Sequence, residues 1–144
     1  MIIETWRTIQ FGLAAIGGLI GGFLGGLDGF MYTLIAFVVI DYVTGFMCAI
    51  VDHKLSSEVG FRGIFKKICI FLLVGVANMI DAHVIGSGAV LRTAVIFFYL
   101  SNEGVSILEN AGRLGLPIPE KLRAVLAQLK DDGEAVEEDE HADD

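Results

Sequence analysis

The strongest constraint on this chain is a stretch of thirty residues, 11–40, that contains a single charged side chain, Asp28. Two further apolar stretches follow it. A helix needs about 20 mostly apolar residues to cross the hydrocarbon core of a bilayer, which is roughly 30 Å thick. Because most of the 144 residues belong to such stretches, we expect an all-α integral membrane protein.

The acidic residues are concentrated at the end of the chain. Residues 131–144 contain nine of the 18 acidic residues and no Lys or Arg, so residues 1–130 are close to neutral. We therefore predict a transmembrane domain over 1–110, a cytoplasmic amphipathic segment over 111–130, and a disordered acidic tail over 131–144. Within the segment an amphipathic helix follows Pro117 and Pro119, and its apolar stripe is Leu122, Val125, Leu126 and Leu129. A near-neutral body with an acidic tail argues against nucleic-acid binding.

Four transmembrane helices are predicted, and two short turns join them as two hairpins. The turns are Asp28-Gly29 and Gly86-Ser87-Gly88, in which glycine supplies the positive φ that tight turns need. A polar connector, 52–67, separates the hairpins. Lys and Arg concentrate in this connector and in the C-terminal part, which favours cytoplasmic N- and C-termini and two outward hairpins. The predicted spans are about 11–27, 30–51, 68–85 and 89–108.

A three-span arrangement is the alternative. In it the glycine-rich first segment lies in the membrane interface, and the N-terminus is placed differently.

The first predicted span contains two columns of glycines spaced by four. Such columns form a groove on a helix, so another backbone can approach closely and gain dispersion contact. The groove either receives the neighbouring second span or forms a self-association surface, and a flexible interfacial segment is a third interpretation. The glycines assigned to helix packing or oligomerisation are Gly17, Gly18, Gly21, Gly22, Gly25 and Gly26.

Four Asp, Glu, Lys or Arg residues fall inside the predicted spans: Asp41, Asp81, Arg92 and Glu103. Such residues normally face protein or water rather than lipid. Asp81 and Arg92 lie at nearly the same depth across the second hairpin, so we predict that they pair. Asp41 lies close to the level of Glu103, and two carboxylates at one depth either retain a proton or recruit Lys67. The polar faces serve intramolecular packing, assembly or an aqueous path, and proton coupling is a further hypothesis for Asp41.

The connector carries four basic residues among apolar ones. We interpret it as an interfacial segment whose cations meet anionic headgroups, at about 1 kcal/mol each; a loop with solvated charges is the alternative. These membrane-surface residues are Lys54, Arg62, Lys66 and Lys67.

No catalytic constellation is recognisable. The three histidines are isolated, and the two cysteines, Cys48 and Cys69, lie in apolar segments without metal or redox spacing. We expect neither an enzyme nor a bound metal or cofactor.

Several motifs in a consistent order resemble the phage holin family of the toxin-secretion/phage-lysis type, over residues 30–130. They are DYVTGF at 41–46, KLSSEVGFRGIFKK at 54–67, NMID at 78–81, LRTAVIFFYLSNEGVSILEN at 91–110 and GLPIPEKL at 115–122.

The resemblance implies a protein that oligomerises in the bacterial cytoplasmic membrane and opens lesions, through which a cell-wall hydrolase (endolysin) or a toxin escapes. Members commonly end in a basic-rich tail, from which the acidic end of this chain departs. Two other classes remain open on the residues alone. One is a small ion channel or transporter subunit using Asp41 and Glu103, and the other is a membrane scaffold whose C-terminal helix recruits a cytoplasmic partner.

Overall fold

The computed structural model describes residues 1–122 and Ala124, and the regular elements within them are helical. The predicted all-α class is therefore confirmed for this part of the chain. The predicted amphipathic helix falls largely, and the acidic tail entirely, outside the described residues. The elements are α1 at Ile2–Leu24, α2 at Gly29–Val51, α3 at Ser57–Ile80, a π-helical turn at Asp81–Ile85, and α4 at Val90–Arg113.

Three helical segments of the described chain are long and apolar enough to cross a membrane: Ile3–Leu24, Gly29–Val51 and Ser57–Ile85. With 24 residues, α4 measures about 36 Å at 1.5 Å per residue, which is also long enough. It is less apolar than the other three because it carries four charged side chains. A fourth span therefore stays a prediction.

Two helices begin earlier than the predicted spans. α1 starts at Ile2 instead of near residue 11, and α3 starts at Ser57 instead of near residue 68. The connector is consequently reduced to 52–56, and residues 57–67 form the first half of α3. The Ser56 hydroxyl accepts a hydrogen bond from the Val59 N–H at 3.2 Å and so caps α3. Charged residues mark where a helix leaves hydrocarbon, whereas caps such as Ser56 mark where it begins.

Glycines make both tight connections. Gly25 and Gly26 adopt φ of 80° and 93° directly after α1, and Gly86 and Gly88 adopt φ of 77° and 78° before α4. Asp28 then caps α2, because its side chain accepts from the Met31 N–H at 2.9 Å. The first turn thus extends over residues 25–28, slightly earlier than the predicted Asp28-Gly29.

The core lies among α2, α3 and α4. α2 packs most extensively against α4, and α3 packs against α4 more closely than against α2. α1 packs against α3 through its C-terminal end, where the Phe23 ring lies directly over Gly75. Most of α1 is exposed. The buried apolar side chains of the core are Leu24, Met31, Leu34, Val38, Ile70, Val74 and Ile96.

Candidate functional site

A cluster of polar side chains lies between α2, α3 and α4, and we call it the central cluster: Asp41, Lys67, Glu103 and Asn110. The Lys67 ammonium donates hydrogen bonds to Asp41 Oδ2 and to Glu103 Oε2, forming ion pairs with both carboxylates. Lys67 therefore occupies the position between two carboxylates of similar depth. The three charges sum formally to −1.

Asn110 completes the cluster on the side of Asp41 away from Lys67. Its side-chain amide donates to Asp41 Oδ1 at 3.1 Å and to the Thr44 hydroxyl at 3.0 Å. Its backbone carbonyl accepts from the Cys48 thiol at 3.4 Å. Asp41, Glu103 and Asn110 are all buried. No buried side-chain nitrogen or oxygen of the described residues lacks a hydrogen-bond partner. The cluster is thus fully satisfied within one copy of the chain.

Asp41 lies close to the midpoint of α2, and Glu103 lies close to the midpoint of α4. A charged side chain at the centre of an inserted helix costs about 2.5–3.5 kcal/mol, and this cost falls when the charge is paired inside the protein. The pairing of Lys67 with Asp41 and Glu103 is therefore what allows apolar helices to carry these residues.

A second polar cluster joins the C-terminal end of α1 to the rest of the chain, and we call it the α1 clamp: Asp28, Asn78 and Arg92. The buried Arg92 guanidinium donates to the Leu24 carbonyl at 2.6 Å, to the Gly26 carbonyl at 2.9 Å and to Asp28 Oδ2 at 2.7 Å. The last carbonyls of a helix have no partner in the helix itself. Arg92 supplies that partner from α4.

Asn78 acts in the same way from α3. Its amide donates to the Phe23 carbonyl at 3.1 Å and to the Gly22 carbonyl at 3.4 Å. In the sequence, Asn78 stands out only as part of the NMID motif at 78–81, and Asp28 only as a turn residue. The sequence did contain a signal for Asn78. It is an amide side chain in an apolar stretch, and it lies three residues before Asp81, hence on the same helical face.

Asp81 and Arg92 do meet, but not as two paired side chains. The Asp81 carboxylate accepts from the backbone N–H groups of Leu91 at 3.1 Å and Arg92 at 2.8 Å, so it caps the start of α4. The ionic partner of the Arg92 guanidinium is Asp28. Side chains on a helix point toward its N-terminus. Because Arg92 lies in the first turn of α4, its side chain extends beyond the helix toward residues 24–28.

Arg92 also changes the acidity of Asp28, which lies in the turn outside the helices. Hydrogen bonding from Arg92, followed by that from the Met31 N–H, holds the pKa of the Asp28 carboxyl below its ordinary value of 3.8.

Most of the glycine face of α1 has no partner within residues 1–122 and Ala124. A Cβ atom built on Gly17, Gly18, Gly21 or Gly22 would meet nothing within 4 Å in the described chain. Gly25 differs, because such an atom would meet the side chains of Asn78 and Arg92. Among the packing glycines, Gly25 therefore fits closely within one copy, and Gly26 contributes a carbonyl to the α1 clamp. The groove does not receive α2, whose main partner is α4.

A cavity of about 780 Å³ opens beside the central cluster. We call it the basic cavity because three cations, Arg62, Lys66 and Lys67, outnumber two carboxylates, Asp41 and Glu103, in its lining. Tyr42 bridges α2 and α3 at its wall, donating to the Gly60 carbonyl at 3.5 Å. Lys54 is exposed and does not line the cavity. Within residues 1–122 and Ala124, no group of three or more His, Cys, Asp or Glu is placed to hold a metal ion.

Comparison with known proteins gives one family. The profile of the bacteriophage holin family matches residues 18–131, which include everything described above except the first two thirds of α1. No solved structure matches the chain.

Individual relatives agree with that match. The chain is 35% identical over 105 residues to a protein of Bacillus phage phi105 named a probable holin, covering 72% of this chain and 77% of the phage protein. It is 42% identical over 118 residues to an uncharacterized protein of Listeria monocytogenes, covering 82% and 84% of the two chains. An uncharacterized protein of Clostridium perfringens is 40% identical over 121 residues, covering 84% and 92%.

Proposed function

Because this chain belongs to the bacteriophage holin family, we propose that it associates with further copies of itself in the bacterial cytoplasmic membrane and opens lesions there. A cell-wall hydrolase or a toxin leaves the cell through these lesions. The protein acts without catalysing a reaction. Its four helices cross the membrane as two outward hairpins, with both termini in the cytoplasm.

The observation that carries this proposal is the contrast between two surfaces. The central cluster holds its charges in a closed network among α2, α3 and α4, whereas the glycine face of α1 is open. Helices in lipid associate through close backbone packing at small residues. Copies that join through α1 bring several central clusters near one another.

When the lesion opens, these charged side chains exchange their contacts with one another for contacts with water, so no charge stays buried without a partner. When α2, α3 and α4 of neighbouring copies separate, Asp41, Lys67 and Glu103 turn from one another toward water. An intramembrane ion pair exposed to water regains its hydration, so a water-filled lesion stabilises the separated helices. Lateral assembly is therefore the step that converts buried polar faces into the lining of an aqueous opening.

Co-expression with a cytoplasmic muralytic enzyme in bacteria tests the proposal. We expect the culture to lyse abruptly after a delay when both proteins are present, and to lose membrane potential but keep its cell walls when the enzyme is absent. Insertion of the protein, measured by fractionation, without loss of membrane potential or viability would contradict it.

A small ion channel or transporter subunit is the second candidate, and the basic cavity beside the central cluster is the observation that favours it. The two functions differ in what passes. A lesion releases a folded cytoplasmic enzyme, whereas a channel passes ions only, so retention of the muralytic enzyme in depolarised cells would favour the channel.

A further inference from the structure

We propose that the basic cavity binds the phosphate headgroup of an anionic phospholipid. The proposal rests on the membrane insertion contained in the proposed function, but not on lesion formation. If the protein bound this lipid but did not lyse cells, lesion formation would be contradicted and the lipid site would still be supported.

The lining of the cavity combines cations with apolar side chains. On α3, the cavity is lined by Arg62 and Lys66, which precede the uncharged stretch 68–80. On α2, the facing wall contains Phe46 and Ala49. The cations therefore suit a charged headgroup, and the apolar side chains suit the start of an acyl chain. A phospholipid combines these two chemistries in one molecule.

The cations on the α3 wall are available to a ligand. Lys67 is engaged by Asp41 and Glu103, whereas Arg62 and Lys66 are exposed and form no ion pair within residues 1–122 and Ala124. They are four residues apart, so they lie on one face of α3, where two like charges repel each other. A phosphate between them removes this repulsion. Basic pockets between transmembrane helices are known sites for anionic headgroups.

The cavity also has a suitable size. Its volume of about 780 Å³ lies within the roughly 300–1,000 Å³ of ordinary small-molecule sites. A space of this size beside inserted helices must be filled by lipid or water. The charges on its wall select the anionic lipid from the lipids that surround the protein.

A fluorescent reporter in the cavity tests the proposal on the full-length protein. Trp6 is the single tryptophan, so Trp6→Phe with Phe46→Trp places one tryptophan at the cavity wall. The protein is reconstituted in vesicles of phosphatidylcholine that contain a small fraction of either brominated phosphatidylglycerol or brominated phosphatidylcholine, which quench on contact. We expect brominated phosphatidylglycerol to quench preferentially.

Removal of the two cations gives the decisive comparison. Each is expected to strengthen binding by about fivefold, the equivalent of about 1 kcal/mol, so Arg62→Gln with Lys66→Gln should abolish most of the preference. The matched control is Lys54→Gln with Lys121→Gln, which removes two cations that do not line the cavity and should retain the preference. Equal losses in both variants would mean a nonspecific surface attraction and would overturn the proposal.

Other occupants give different results. A second copy of the chain in the cavity would exclude both brominated lipids alike, and the acidic end of the chain would make the preference appear only after deletion of residues 131–144. A site for free phosphate would bind inorganic phosphate in the detergent-solubilised protein but would show equal quenching by the two brominated lipids. Each of these three results would overturn the proposal.

Discussion

Arg92, in the first turn of α4, forms an ion pair with Asp28, which lies 64 residues earlier and caps α2. The same guanidinium binds two carbonyls at the end of α1. One side chain of α4 thus joins three helices at a single point, where α1 and α2 are linked along the chain by the short glycine turn at 25–28.

Arg92→Ala should destabilise the protein by about 2–4 kcal/mol. It leaves the Leu24 carbonyl without a donor and removes charge-assisted bonds from a buried group, each of which contributes about 1.5–3 kcal/mol. Unfolding in detergent, followed by circular dichroism, measures the change. Arg113→Ala is the matched control, because it removes an exposed ion pair with Asp52 and should have a much smaller effect. Equal effects of the two substitutions would contradict a special role for Arg92.

The Asp28–Arg92 pair predicts a loss of stability in acid. The folded-state pKa of Asp28 is lowered, so its contribution is complete above the ordinary value of 3.8 and declines as the pH falls through the folded value. The difference in unfolding free energy between wild type and Asp28→Asn should therefore shrink on acidification below about pH 4. Unfolding curves of both proteins over a pH series measure it. Two parallel pH profiles would exclude this contribution.

Lys67→Met should prevent stable folding or reduce stability by about 3–5 kcal/mol, because it leaves two buried carboxylates without their shared cation. Adding Asp41→Asn and Glu103→Gln should restore most of the stability, since no unpaired charge remains. Accumulation in membranes and unfolding in detergent measure both effects. Under the proposed function, the restored triple variant should insert normally and lyse cells poorly; normal lysis would show that the charges do not line the lesion.

Gly21→Leu should leave a single copy folded while impairing association. Nothing lies within 4 Å of the position of an added Cβ, and a leucine favours the helix over glycine by somewhat less than 1 kcal/mol. The larger side chain would nevertheless fill the groove and keep a second backbone away. Chemical crosslinking in membranes and the lysis curve measure the loss.

Gly75→Leu is the contrasting substitution. It places a side chain where the Phe23 ring lies, so we expect α1 to be displaced from α3 within one copy.

For Gly21→Leu, crosslinking equal to that of the wild type would contradict a role of the glycine face in assembly.

A reporter fused after Ser87 separates four spans from three. In the four-span arrangement this turn faces outward, so a reporter that is active only outside the cytoplasm should work there, and one that is active only in the cytoplasm should not. A fusion after residue 122 should behave in the opposite way. A cytoplasm-only reporter that is active after Ser87 would contradict the four-span arrangement.

The sequence was most informative where short turns fix the register of two helices. Counting helical rise from each turn placed Asp41 level with Glu103, and Lys67 lies between them in the structure. The same count put Asp81 and Arg92 together but gave the wrong contact between them, since depth along a helix does not specify the direction of a side chain. The contacts that Asp28 and Asn78 make in the α1 clamp were missed for the same reason.

The position of α1 could not be obtained in this way. Four-spaced glycines indicate that a backbone can come close, but they do not identify which one. Contacts at Phe23, Gly25 and Gly75 determine where α1 lies, and they involve residues that are distant in sequence. The sequence also did not indicate where α3 begins. The basic residues that mark the edge of the apolar stretch lie within this helix and not before it.

The α1 clamp also sets an order of events during synthesis. Its donors, Asn78 and Arg92, are translated long after the carbonyls of Gly22, Phe23 and Leu24 that they bind. A nascent chain that has not yet been extended to α4 cannot form the hydrogen bonds that Arg92 donates. Completion of the α1 clamp is consequently a late event, available only to chains extended at least through Arg92, and a product terminated before Arg92 would hold its first helix through α3 alone.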